Sequence, residues 1–386
     1  MLLFRVGLCA VTPTPEHSHA GSSDRASSDD VELAAHLARE PLRFGRLCLE
    51  KVWGGRALED VLGIELEGDG PIGETWELVD RTDHQSVVRG GPLAGTTLGE
   101  LVARAPRALL GNAPTARNGR FPLLVKFLDA SAPLSVQVHP DDAGAAAQGH
   151  GSEAKTEAWY FLRDGGEVWC GFEPGVDRAA FETALAAGHA SKPLARHPVR
   201  GGDALTVLGG TVHAIGAGVT LLEVQQNSDT TYRLDDWGRL GLDGKPRDLH
   251  LAQGLEVTRF GVPAPRTSSP ARPRPGARTP ATQLLASTEH FELEAIDLAS
   301  SPPALTLDTG GRFQIYVVVA GPNRDHSGIV VARESEPAGS GVRLALGESV
   351  LVPAALGRHR IERLPGPDGS SAPDPVRLVR LACPAR

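Results

Sequence analysis

Glycine and proline interrupt this sequence so often that few apolar stretches reach the length of a helix. The 386 residues include 45 glycines and 30 prolines, and both residue types mark turns more often than the interiors of elements. Short strands joined by turns are the structure that such punctuation favours. The sequence therefore predicts a mainly β protein.

Composition and charge narrow the class of protein. Hydrophobic residues make up 41% and charged residues 22% of the chain, which is ordinary globular usage, and the length allows two domains. The net charge of −8 has the wrong sign for binding nucleic acid through the overall field. We expect no nucleic-acid partner, although a local cationic pocket for a small anion remains open.

The N-terminal segment and the cysteines indicate the cellular compartment of the protein. The apolar stretch at the N-terminus is short and is interrupted by Arg5, so it does not predict a membrane span. The cysteines Cys9, Cys48, Cys170 and Cys383 are far apart and form no CxxC pair, which argues against a disulfide framework. We expect a cytoplasmic protein with no membrane partner.

Two biased segments divide the chain. Residues 12–31 are rich in Ser, Asp, Pro and His, which predicts disorder. Residues 262–280 are rich in Pro, Arg and Ser. Because proline has no backbone N–H, this segment cannot donate enough hydrogen bonds to join a sheet. The predicted organisation is a disordered tail (1–41), a catalytic domain (42–261), a linker (262–281) and a C-terminal domain (282–386), with each domain a β-barrel-like or jelly-roll unit.

A few elements can be placed individually. Thr97 and Glu100 form a capping-box pattern that predicts a helix after Thr97. Asp177 as N-cap and Gly188 as stop predict a second helix. In the C-terminal block, strands are predicted within residues 312–321, 348–354 and 376–383.

The segment LSVQVHPDD, residues 134–142, carries the first chemical signal. In a strand, Ser135, Gln137 and His139 share one face while the apolar residues between them share the other. An exposed polar face would show the same pattern. Downstream, Glu157 and His213 would complete an amide, carboxylate and imidazole set suited to Zn²⁺ or another divalent ion, although each of them alone could be structural.

These motifs, in this order, resemble the type I phosphomannose isomerases of the cupin superfamily, in their compact bacterial form. The resemblance implies two jelly-roll (cupin-like) domains with a few short helices, the second of them degenerate. It covers the whole large block through the segments LEKVWGG (49–55), IGETWEL (72–78), GTTLGEL (95–101), FPLLVKFLDASAPLSVQVHPDD (121–142), AKTEAWYFL (154–162), GTVHAIGAGVTLLEVQQNSDTTYRLDDWGR (210–239) and PRDLH (246–250).

The resemblance also implies the metal site. One ion per chain, usually zinc with another divalent metal left open, would be held by four residues: Gln137, His139, Glu157 and His213. Gln137 stands where many cupins have the first histidine of an HxH pair, which disfavours a cupin dioxygenase. One departure from the cupin pattern is the turn at 208–210, where a proline is common.

The implied reaction interconverts mannose 6-phosphate and fructose 6-phosphate through an enediol, with a metal ion stabilising the developing negative charge. The chain shows no dinucleotide-binding or P-loop motif. By resemblance, Ser135 and Lys126 hold the substrate phosphate, and Arg233 is a further basic residue near the reacting end. The expected partner is therefore a small phosphorylated sugar, bound by a monomer or weak homo-oligomer.

The group that moves the proton stays open at this point. Lys155, Glu223 and a metal-bound hydroxide are the three candidates, and Asp229 is a candidate for assisting ring opening. Two other functions are alternatives: a non-catalytic sugar-binding or regulatory cupin, and a metal-dependent cupin oxidoreductase. Loss of a metal ligand would favour the non-catalytic cupin, and an HxH pair would favour the oxidoreductase.

Overall fold

The structure, a computed structural model, describes residues 27–149, 151–270, 280–298, 304–321, 328–364 and 376–384. Antiparallel strands form most of the regular structure, and they are arranged in four sheets. The prediction of a mainly β protein with a few short helices is confirmed. Each half of the chain contributes two of the sheets.

The first β unit contains the strands β1 to β11. Its six-stranded sheet has the order β1-β2-β3-β10-β5-β8, and its five-stranded sheet has the order β11-β4-β9-β6-β7. The strand bounds are Leu47–Gly55, Ile72–Leu78, Leu123–Ala130, Val136–Val138, Glu157–Phe161, Glu167–Phe172, Leu194–Pro198, Ala204–Val207, His213–Ile215, Val219–Gln226 and Tyr232–Asp235.

The second β unit contains the strands β12 to β20. They form a five-stranded sheet, β12-β13-β20-β15-β18, and a four-stranded sheet, β14-β19-β16-β17. The bounds are Ala281–Ser287, Glu292–Leu298, Leu305–Asp308, Gln314–Ala320, Ile329–Arg333, Val342–Leu344, Ser349–Val352, Arg358–Arg363 and Val376–Ala382. Strands β15, β18 and β20 confirm the three predicted in this block.

Seven short helices accompany the sheets in the described part of the chain, together with a 3₁₀ turn at Ala354–Leu356. Helices α1 to α7 span Ser28–Leu37, Ala57–Leu62, Leu98–Arg104, Pro106–Leu110, Asp142–Gln148, Arg178–Ala186 and Leu251–Val257. The capping box of Thr97 and Glu100 begins α3, and Asp177 caps α6, as predicted. None of these helices is long and apolar enough to cross a membrane.

The predicted tail boundary at residue 41 is wrong. Helix α1 lies inside the stretch expected to be disordered, with Ser27 accepting a hydrogen bond from the Asp30 backbone N–H at its start. Leu33 and Leu37 are only 4% and 0% exposed, because an i, i+4 pair places both on the face that meets the core. The polar composition of residues 12–31 concealed this short amphipathic segment. Residues 1–26 lie outside the described residues.

The predicted linker is described only in part, because residues 271–279 lie outside the described residues. Ser268 forms an isolated backbone bridge with Ala204, so part of the Pro/Arg-rich tract is tied to the first β unit. Ala281 already belongs to β12. The division into domains otherwise stays a prediction.

The two β units share a hydrophobic core. The rings of Phe121 and Phe313, one from each unit, have centroids 4.7 Å apart. Leu42 and Leu351 exchange backbone hydrogen bonds of 2.8 and 2.9 Å. The second unit thus packs against the scaffold that carries the polar residues of the first.

Candidate active site

The alternation predicted for residues 134–139 is present. Leu134, Val136 and Val138 are buried among apolar side chains, whereas the Ser135 hydroxyl donates to Gln137 Oε1 at 3.0 Å. Strand β4 therefore presents its polar residues to the opposite side, as its period of two requires.

Neighbouring strands bring the downstream residues to the same place. His213 opens β9 and is the direct partner of Gln137 across the ladder, while Glu157 opens β5 and pairs with Gln225 of β10. Both are 1% exposed or less. Residues separated by up to 76 positions along the chain thus become neighbours through sheet register.

The turn that departs from the cupin pattern packs closely on the segment after β4. The Gly210 backbone N–H donates to the His139 carbonyl at 2.7 Å, and Gly210 has a φ of +88°. A Cβ on Gly209 would lie 2.6 Å from Asp141 Cα. Two consecutive glycines are therefore required here by close approach and by left-handed backbone.

Three of the four predicted ligands converge on one point. One ligand atom from each of His139, Glu157 and His213 lies within 4.8 Å of the others. Glu157 Oε2 lies 3.6 Å from His139 Nε2, and its Oε1 lies 3.4 Å from His213 Nε2. One carboxylate therefore faces two imidazole nitrogens, which is the ligand set of an open zinc-type site.

The tautomers of both histidines suit a metal ligand. The Nδ1–H of His139 donates to the Thr230 carbonyl at 2.8 Å, and that of His213 donates to the Thr211 carbonyl at 2.9 Å. Because a carbonyl can only accept, Nδ1 carries the proton and each Nε2 presents a lone pair to the cluster. Burial lowers the pKa of His213 to about 4 and that of His139 well below its usual range, so both rings are neutral.

Gln137, the fourth predicted ligand, lies beside His213. Its Nε2 lies 3.2 Å from His213 Nε2, and its two amide ends are interchangeable by a half-turn. That half-turn would direct Oε1 to the cluster and leave the amide N–H₂ facing the Ser135 hydroxyl, which can accept. The side chain can therefore supply an oxygen ligand without moving its backbone.

Two lysines and two further glutamates surround this cluster. Lys155 Nζ lies 2.8 Å from Glu157 Oε2 and 3.6 Å from Glu223 Oε1. Lys126 Nζ lies 3.2 Å from Glu223 and 3.7 Å from Glu74. With Lys51, whose Nζ lies 3.8 Å from Glu74, the group contains three carboxylates and three ammonium groups, with neutral histidines beside it. The residues present fit a metal ion because two neutral imidazole nitrogens and the Glu157 carboxylate converge on one point.

The buried charges shift one another's pKa values. Burial, followed by the neighbouring Glu157, raises the pKa of Glu223. Burial also opposes ionisation of Glu74, yet Lys126 and Lys51 bring its pKa down to about 2. For Lys126, burial acts to lower the pKa, and Glu223 and Glu74 override it and raise the pKa. Perturbed groups of this kind are concentrated at functional sites.

The remaining predicted residues lie further out. Arg233 is the direct partner of Gln137 across β11 and β4, and its Nη1 donates to the Asp248 carbonyl at 2.8 Å. Burial and then the nearby Arg247 lower the pKa of Arg233. Asp229 has an exposed position, where its backbone N–H donates to the Glu153 carboxylate.

The sequence patterns missed Glu74 and Lys51 as members of this network. Glu74 accepts a hydrogen bond from Trp76 Nε1 at 2.7 Å and lies 3.8 Å from Lys51 Nζ. Both residues occur in segments that carry the family resemblance, and Lys51 is one of only five lysines in the chain. The scarcity of lysine was the sequence signal that could have identified Lys51.

A separate cleft of about 700 Å³ lies between the two β units. Its lining includes Arg117 and Ser152 from the first unit and Glu289 and His290 from the second. None of the predicted site residues lines it. The cleft is not lined by the convergent ligand set of His139, Glu157 and His213, so the buried cluster is the candidate active site.

Comparison with known proteins identifies a family. Residues 43–161 match the family model "Phosphomannose isomerase type I, catalytic domain". The chain is 40% identical to a mannose-6-phosphate isomerase of Streptococcus mutans over 230 residues, 59% of this chain and 71% of that protein. It is 41% identical to one of Bacillus subtilis over 223 residues, 57% of this chain and 69% of that protein.

Solved structures give the same answer for the fold. The crystal structure of the mannose 6-phosphate isomerase from Bacillus subtilis superposes with a TM-score of 0.74 at 27% identity, covering 89% of this chain and 99% of that one. A phosphomannose isomerase from Salmonella typhimurium, 18% identical, supports the fold alone with a TM-score of 0.66 over 89% of this chain and 99% of that one. The chain therefore belongs to the type I phosphomannose isomerase family.

Proposed function

We propose that this chain interconverts mannose 6-phosphate and fructose 6-phosphate at the buried cluster around Glu157. The observation that carries the proposal is the convergence of His139, Glu157 and His213 beside Lys155 and Glu223. Aldose–ketose isomerisation moves a proton between C1 and C2 through an enediol, so it requires a proton carrier and a stabiliser of negative charge at oxygen.

The residues Gln137, His139, Glu157 and His213 would hold one metal ion, and we propose zinc. Two neutral imidazoles, one carboxylate and one amide oxygen suit Zn²⁺, although another divalent metal would fit the same donors. When bound, the ion would act as a Lewis acid toward the substrate oxygens.

Lys155 and Glu223 are our candidates for the proton transfer between C1 and C2. Lys155 Nζ lies 3.2 Å from His139 Nε2 and 2.8 Å from Glu157 Oε2, so it stands directly beside the proposed metal ligands. Glu223 faces both Lys155 and Lys126, and its raised pKa brings it nearer to the range of a general base at neutral pH. Asp229 would assist ring opening.

The substrate phosphate would be held by Lys126 and Ser135, with Arg233 as a further cation. Lys126 is 7% exposed and Ser135 is 3% exposed. Arg233 is only half-buried and keeps donors for an anion. The protein is proposed to act in the cytoplasm as a monomer or weak homo-oligomer.

A non-catalytic sugar-binding role is disfavoured because each predicted ligand and Lys155 are retained. The decisive experiment is a coupled assay for fructose 6-phosphate formed from mannose 6-phosphate, with and without a chelator. Activity that disappears on chelation and returns with Zn²⁺ would support the proposal. Sugar binding without turnover, with metal present, would reject it.

A further inference from the structure

The loop after β11 holds a tryptophan in a left-handed backbone conformation. Trp237 has a φ of 59° and is the one non-glycine residue with positive φ in the described ranges. A residue with a Cβ adopts this conformation at a free-energy cost, and it persists where the surrounding contacts impose it. The contacts made by Trp237 therefore indicate what the strain maintains.

Two side chains of this loop reach one short stretch of backbone. The indole Nε1–H of Trp237 donates to the Leu134 carbonyl at 2.7 Å, and Arg239 Nη1 donates to the Pro133 carbonyl. These adjacent carbonyls come immediately before Ser135 and β4. The loop thus binds the backbone just before β4. Gln137 lies in that strand, and His139 follows it directly.

The loop is itself firmly anchored. The Trp237 backbone N–H donates to Asp235 Oδ1 at 2.7 Å. Asp236, only 6% exposed, accepts from Arg239 Nε at 2.9 Å and from Arg247 Nε at 2.8 Å. A carboxylate shared by two guanidinium groups fixes geometry because the paired donors of each are directional. The position of the indole is therefore well defined.

Strand β4 is only three residues long. All three residues pair with β11, across a register shift between Arg233 and Asp235, whereas β9 contributes the single pair of Gln137 and His213 and a hydrogen bond from the Leu134 N–H to the Ile215 carbonyl at 2.8 Å. Metal ligands need supporting contacts that hold them close to their productive geometry. A strand this short obtains part of that support from outside the ladder.

We propose that Trp237 is a positioning residue, whose indole N–H fixes the start of β4 so that Gln137 and His139 reach the metal cluster. This inference rests on the proposed metal site. Trp237 need not contact the ion or the substrate for this role. It acts through the Leu134 carbonyl, three residues before Gln137.

The test is a Zn²⁺ titration in competition with a chromophoric chelator, with melting temperatures measured in parallel. Trp237→Phe keeps an aromatic ring and removes the N–H donor, so Zn²⁺ affinity should fall about tenfold while the melting temperature stays near that of the wild type. Trp169→Phe is the matched control, because it alters the other ring of the same pair, 5.8 Å away, and leaves the Trp237 hydrogen bond in place. Its Zn²⁺ affinity should equal that of the wild type.

Trp237→Asn provides a second variant, because asparagine tolerates left-handed backbone and lacks the indole. It should weaken Zn²⁺ binding like Trp237→Phe. Wild-type affinity in both Trp237 variants, or an equal loss in Trp169→Phe, would overturn the positioning role alone. A wild-type chain that binds no Zn²⁺ would overturn the metal site, and this inference with it.

Discussion

Lys126 and Glu223 are direct partners across β3 and β10, and the lysine ammonium lies 3.2 Å from the carboxylate. Both side chains are almost completely buried, and Glu74 faces the same ammonium at 3.7 Å. The lysine proposed for substrate phosphate is therefore also the counter-ion of two buried carboxylates. Because Lys126 has both roles, its substitution should affect substrate binding and folding stability separately.

Replacing Lys126 by alanine should raise KM for mannose 6-phosphate strongly and should also lower kcat, since phosphate binding energy need not be uniform along the reaction. It should also lower the free energy of unfolding by about 3–5 kcal/mol, because Glu74 and Glu223 lose a buried partner. Steady-state kinetics and denaturant unfolding measure the two effects. Lys192→Ala, at an exposed position, is the control.

Unphosphorylated mannose separates these effects. The wild type should discriminate heavily in favour of mannose 6-phosphate, and Lys126→Ala should lose much of that preference. Equal proportional losses on both sugars would remove Lys126 from the phosphate pocket and leave it with the structural role alone.

Replacing His213 by alanine should remove most of the bound metal and activity while leaving a folded chain. The ring lies beside both Glu157 and Gln137, and its loss takes one of four donors from the site. Metal content per chain and circular dichroism check the two statements. An unchanged metal content would show that the ligand assignment is wrong.

Replacing Lys155 by alanine should chiefly lower kcat, with a smaller change in KM, if this residue assists proton transfer. A loss of about 10²–10⁴-fold in kcat is typical for removing a general acid or base. The measurement should include metal content, because Lys155 also contacts Glu157 at 2.8 Å. A kcat near that of the wild type, at full metal content, would exclude Lys155 as the proton carrier.

The second β unit should lose stability as pH falls below about 6.5. His359 is fully buried, donates from Nδ1 to the Gly357 carbonyl at 3.0 Å, and lies 2.8 Å from the Tyr316 hydroxyl. Burial lowers its pKa below the ordinary 6.5, with Asp308 and Arg380 acting in opposite directions.

The sign follows from proton linkage. In the unfolded chain His359 gains a proton near pH 6.5, whereas in the folded chain it stays neutral until a lower pH. The stabilisation that His359 contributes to folding is therefore complete above pH 6.5 and declines below it, at up to about 1.4 kcal/mol per pH unit. Urea unfolding between pH 5.5 and pH 7.5, in wild type and His359→Asn, gives the slope. Identical slopes would exclude this histidine as a source.

The domain map predicts where a protease cuts first. Trypsin should cleave within residues 262–280, whose arginines lie in a Pro- and Ser-rich tract, before it cleaves within residues 121–239. Arg39 follows helix α1, whose Leu33 and Leu37 are packed on the core, so cleavage there should be slow. Early loss of residues 121–239 would contradict the map.

The sequence by itself determined the class of fold and the set of side chains proposed as metal ligands. Alternation about Gln137 and the N-caps at Thr97 and Asp177 are local properties, since backbone period and capping involve residues a few positions apart. The motif order carried the family resemblance and with it the candidate ligands His139, Glu157 and His213. Helix α1 was not predicted from the sequence, because two leucines in a polar stretch are a weak signal without the core on which they pack.

Only the tertiary structure decided how the polar residues are partnered. That Glu74 joins Lys51 to Lys126, and that Trp237 reaches the Leu134 carbonyl, depends on strand order and loop path, because these residues are distant in sequence and meet through sheet register. The protonation of His139 and His213 is likewise set by burial and by carbonyls at Thr230 and Thr211. Sequence specifies which groups are available, whereas long-range packing fixes their distances and hence their charges.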